Sequence, residues 1–155
     1  MSEHVVDWRI EGAEDDGLRA EGTRLAENAR ALLALLAEDD AADRGGPLEL
    51  SLLLCDDAFI EPLNEQWRGV GKATDVLSFP LDEGAALGDV VISVETAARR
   101  VDEPHWLLED ELLFLLVHGV LHLLGHDHME PEERGLMEAA EQRLWTALGR
   151  AGTLR

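Results

Sequence analysis

A chain of 155 residues has room for one folded unit that buries roughly two-thirds of its unfolded surface, and 46% hydrophobic against 30% charged residues excludes a disordered chain. One cysteine, Cys55, excludes an intramolecular disulfide, and the longest apolar stretch, Leu112 to Leu124, is broken by His118 and His122 and falls short of the ~20 residues that cross a bilayer. The net charge of -20 repels a polyanion at long range and weighs against nucleic acid; with Lys72 the one lysine among 13 bases, though, the composition resembles high-salt adaptation, where screening shortens that repulsion.

The opening MSEHVVDWRI has neither a basic nor an apolar leader region, so a cytoplasmic location is expected. Val5 to Ile10 reads as a first strand. Leu18, Leu25, Ala29, Leu32, Leu33 and Leu36 then recur at helical spacing and predict a helix from about Asp16 to Ala37. The acidic, glycine-containing run Glu38 to Pro47 reads as a surface loop within a single domain. Leu48, Leu50, Leu52 and Leu54 alternate as in a strand, and Asp56 or Asp57 caps a helix from Ala58 to about Trp67. Val76 to Phe79 is a short strand stopped by Pro80, and Asp89 to Ile92 is another, with Ser93 placed to cap a helix through Arg100.

Glu103 and Pro104 suit the first turn of a long apolar helix from about His105 to Leu124, ended by Gly125. Pro131 opens a last helix with Leu136, Ala140, Leu144 and Leu148 on its buried face. The expected fold is α+β: a small mixed sheet of about four strands packed against about five helices, one of them a central metal-binding helix.

His118 and His122 are four residues apart on that central helix, so both imidazoles leave one face within reach of a single ion. Such a pair alone reads first as buried, hydrogen-bonded histidines. The third histidine decides the matter: Gly125 ends the helix and lets the chain return His128 to the same point, and three neutral nitrogens with an open fourth position describe a catalytic zinc. Every interval of this pattern equals that of the metzincin proteases. Gly119, however, stands where those proteases place the glutamate base, which argues against peptide hydrolysis; its helix-interior cost of roughly 1 kcal/mol points to a need for space above the metal. His126 has no matching spacing and reads as a solvated or supporting residue.

A second stretch runs from Asn64 through Trp67 and Arg68, past a glycine-broken turn with Lys72, to Thr74-Asp75-Val76-Leu77-Ser78-Phe79-Pro80 and then Gly88-Asp89-Val90-Val91-Ile92-Ser93. Together with His118 to His128 this resembles the bacterial YbeY family of endoribonucleases, which act in 16S rRNA maturation and ribosome quality control. The resemblance implies one zinc on His118, His122 and His128, cleavage of single-stranded RNA, a functional Arg68, and ribosome or small-subunit factors as partners. The catalytic set is then Arg68, His118, His122 and His128.

Read from the residues, Arg68 either grips a phosphate with two parallel hydrogen bonds or forms a surface pair with Glu65. Lys72 is either a second phosphate contact or a turn residue. Asn64 suits a bond within the turn, and Asp75 suits holding the loop or a ligating histidine. Trp67 and Phe79 suit packing better than base stacking, and Asp127 reads as a loop residue or a ligand-orienting one. Two rival functions stand beside the nuclease: a metallopeptidase lacking the usual glutamate, and a non-enzymatic ribosome-assembly module in which zinc orders the fold.

Overall fold

The computed structural model describes residues 4–12, 16–38, 46–101, 104–127, 129–150, 152 and 154. Alternation along the strands sets its layout. In β2 (Glu49–Cys55), Leu50, Leu52 and Leu54 belong to one hydrophobic cluster and Leu53 and Cys55 to another, and all five are buried. A strand buried on both faces belongs inside a sheet. β2 indeed lies between β1 (Val5–Glu11) and β4 (Ala86–Ser93), parallel to both, while β3 (Val76–Glu83) runs antiparallel to β4 at the edge, giving the order β1-β2-β4-β3. The helices are α1 (Asp16–Ala37), α2 (Asp57–Arg68), α3 (Val94–Arg99), α4 (Leu108–Leu123) and α5 (Pro131–Ala147). Among the described residues this is the expected α+β architecture of four mixed strands and five helices.

The larger cluster joins one face of the sheet to α1, α4 and α5 through residues such as Leu32, Leu54, Ile92, Leu116, Val120 and Trp145. Each fully buried side chain of this kind contributes about 1.5–3 kcal/mol. α4 is buried on most of its circumference and packs against β3 and β4, which fixes its height over the sheet. On the other face α2 covers a smaller cluster of Leu53, Cys55, Ile60, Leu77 and Val91. Among the described residues no helix is long and apolar enough to cross a membrane.

Three expectations change. β3 does not stop before Pro80 but continues to Glu83. It is an edge strand, so the missing N–H of Pro80 need not break a ladder; opposite it sits Gly88, at φ +136°, where a Cβ would lie 2.2 Å from the Phe79 carbonyl oxygen. α4 starts at Leu108 rather than near His105, because Asp110 Oδ2 accepts the Leu107 N–H at 2.9 Å and Trp106 is held off the helix, donating to Glu111 Oε1 at 2.8 Å and stacking on Trp145. The buried face of α5 is Met137, Ala140, Glu141, Leu144 and Trp145, with Leu136 63% exposed. Of the expected loop from Glu38 to Pro47, residues 39–45 lie outside the described residues.

Candidate active site

One helical turn on α4 brings the two imidazoles together, with His118 Nε2 and His122 Nε2 3.1 Å apart and the ring centroids 4.6 Å apart. The opposite ring nitrogens each face an oxygen. His122 Nδ1 lies 2.9 Å from the His126 carbonyl oxygen, which only accepts, so Nδ1 carries the proton. His118 Nδ1 lies 3.5 Å from Glu141 Oε2, a carboxylate on α5 that is 6% exposed. With its proton on Nδ1, His122 presents the Nε2 lone pair toward His118 Nε2.

The 3.1 Å separation is that of an N–H···N hydrogen bond when His118 carries its proton on Nε2, and it is also close to the about 3.3 Å that two imidazole nitrogens take on one tetrahedral zinc at ~2.05 Å. The two nitrogens therefore fit a zinc-type metal, and the far nitrogen of His122 is tied down in the way metal-bound histidines require. Gly125, at φ +96°, ends the helix, and the His126 N–H returns to the Leu121 carbonyl at 3.0 Å, turning the chain back toward the pair. His128 itself lies outside the described residues.

The pair opens on a cleft of about 610 Å³ whose other wall is the end of α2 and the first half of β3, with Trp67, Arg68, Asp75, Ser78 and Phe79 lining it. Arg68 stands in the last turn of α2, and among the described residues its guanidinium has no ion-pair partner, so the expected alternative of a pair with Glu65 does not form. Trp67 is 63% exposed and meets Phe79 edge to face, with centroids 5.9 Å apart. Asp127 also lines the cleft and accepts the Met129 N–H at 3.2 Å.

Gly119 faces the sheet. A Cβ there would lie 2.9 Å from Val90 Cγ1 and 3.1 Å from Ser78 Oγ, and the Ser78 hydroxyl donates to the Gly119 carbonyl at 2.9 Å. The expectation that this glycine clears space above a metal is thus corrected: it lets α4 close on β3 and β4. A glutamate does not fit there.

Residues 12–149 match the family described as Endoribonuclease YbeY. The chain belongs to this family. A protein of Anaeromyxobacter dehalogenans named Endoribonuclease YbeY is 45% identical over 148 residues, 93% of this chain and 72% of that one. One of the same name from Pelotomaculum thermopropionicum is 46% identical over 120 residues, 72% of this chain and 77% of that one. The solution structure of a Thermotoga maritima protein superposes with a TM-score of 0.55 at 24% identity, covering 93% of this chain and 89% of that one, a likeness of fold.

Within the YbeY motifs, Arg68, His118 and His122 share the cleft, whereas Lys72 does not line it. In the turn the Lys72 carbonyl accepts from Asn64 Nδ2 at 2.8 Å, and Asn64 is 3% exposed. Asp75 pairs with Arg100, and its carbonyl accepts the Ser93 N–H at 2.9 Å, so it holds the loop rather than a ligating histidine. Two contributors were not read from the sequence, Glu141 and the His126 carbonyl. Cys55 stays out of the chemistry, because burial, reinforced by Asp56 and Asp57, pushes its thiol up to about 12.

Proposed function

We propose that this chain is a zinc-dependent endoribonuclease that cuts single-stranded RNA, acting in 16S rRNA 3′-end maturation and ribosome quality control with the ribosome or small-subunit factors as partners. The observation that carries the reading is the facing pair of histidine nitrogens on one wall of a cleft and the Arg68 guanidinium on the other. The names of the relatives point the same way.

His118, His122 and His128 would hold the metal, which when bound supplies Lewis acidity and lowers the pKa of water toward ~7. Glu141 and the His126 carbonyl keep the two imidazoles in the tautomer that presents Nε2. Arg68 grips the phosphate through two parallel hydrogen bonds and neutralises the charge that grows on its oxygens as the new P–O bond forms and the old one breaks. This assignment leaves no role for a glutamate at position 119, where packing against Val90 removes the room a peptidase base would need.

The test is an assay of single-stranded RNA, duplex RNA and peptides with zinc-loaded protein, beside His118→Ala and Arg68→Ala. Cleavage of the single strand alone, lost in both variants with the fold retained in Arg68→Ala, is the expected result. Peptide cleavage would establish the metallopeptidase reading, and zinc-dependent folding without turnover the assembly module.

A further inference from the structure

An indole in water is an unusual thing for a small protein to keep. Among the described residues seven large hydrophobics are exposed, and two of them, Trp67 at 63% and Met129 at 73%, line the cleft that holds His118 and His122. Trp67 contributes little to the core, since its ring contact is one edge-to-face meeting with Phe79 at 5.9 Å and 71°. Phe79 is itself packed against the smaller cluster and belongs to β3, so this contact fixes the indole to the sheet while leaving most of its surface in solvent.

Charge supplies the second strand of the argument. The protein carries -20, and the stretch from Asn64 to Phe79 is neutral, with Glu65 and Asp75 against Arg68 and Lys72. Long-range attraction cannot capture a polyanion here, whereas the π-face of a base is uncharged and stacks on an aromatic ring whatever the protein's net charge. Arg68 is adjacent in sequence to Trp67, and both line the same cleft.

We propose that Trp67, braced by Phe79, is the platform on which one unpaired nucleobase of the substrate strand stacks while Arg68 holds a phosphate. The proposal rests on the endoribonuclease reading and adds a source of strand selectivity to it. A base in a duplex is already stacked and paired, and reaching Trp67 would require extruding it. The platform therefore favours single strands without any sequence code.

The experiment measures kcat and KM on a short single-stranded RNA in which one abasic nucleotide is moved through each position around the cut, using zinc-loaded wild type, Trp67→Ala and Trp67→Phe. Melting temperature and zinc content should match wild type in both variants, because Trp67 is exposed. Trp67→Ala should raise KM roughly 5- to 100-fold, with Trp67→Phe recovering most of the loss. In wild type one abasic position should reproduce that rise, and the same position should have no further effect in Trp67→Ala. The loss should persist as salt increases, unlike a phosphate contact. An unchanged KM in a Trp67→Ala protein that still cuts RNA, or additive effects of the variant and every abasic site, would overturn the platform alone. Absence of RNA cleavage by wild type would overturn the nuclease reading and the platform with it.

Discussion

Glu141 is a carboxylate that water barely reaches, and its Oε2 sits 3.5 Å from the ring nitrogen of His118 that faces away from His122. Glu141→Gln keeps the shape but removes the charge that stabilises a proton on Nδ1. Zinc affinity should fall by about tenfold or more, and the nitrogen chemical shifts of His118 in the metal-free protein should show loss of the single tautomer. Wild-type affinity with unchanged shifts would reduce Glu141 to a packing residue. Gly119→Ala probes the neighbouring position: helix propensity favours alanine by about 1 kcal/mol, but the new methyl meets the stiff Val90 side chain at 2.9 Å, so denaturant unfolding should show a net loss of about 1–2 kcal/mol. The histidine pair was legible because an interval of four on a helix fixes a shared face. Glu141 was not, because an apolar-only reading chose Leu136 for the buried face of α5, and a buried acid looks like a surface residue until its partner is located.

At the scale of elements, α2 and α3 are joined at their first turns by Asp57. Its carboxylate accepts the Ser93 and Thr96 hydroxyls at 2.6 Å each and pairs with Arg99. Burial raises the Asp57 pKa, but these hydrogen bonds and the Arg99 charge outweigh it, and the net shift is downward from 3.8. The sign follows: the unfolded chain takes up this proton before the folded one, so the stabilisation is complete above about pH 4 and is lost as pH falls through the folded value. Asp57→Ala leaves the buried Ser93 and Thr96 hydroxyls without this acceptor and should cost about 1–3 kcal/mol at neutral pH, less in acid, as read by denaturant melts at several pH values. The caps at Asp56 and Ser93 were readable because a short polar side chain before a helix has few other uses. The reach of β3 past Pro80 was not, since a proline stops a central strand and only the sheet order reveals an edge.

For the whole molecule, the four strands and five helices follow from periodicity, but the cleft does not, because α2, β3 and α4 meet there only in three dimensions. The -20 charge acts on this assembly as a unit. Moderate salt screens repulsion beyond about 8–10 Å while sparing short contacts at Arg68, so cleavage of a short RNA should rise with salt before it falls. A smooth decline from the lowest salt would mean that the local field of the cleft governs capture. Titrating zinc into chelator-treated protein while following cleavage of a single-stranded RNA tests whether the histidines hold a metal on which that cleavage depends. No activity is expected without metal, with a plateau at about one equivalent per chain. Full activity in the metal-free protein, or none at any zinc level, would contradict that dependence.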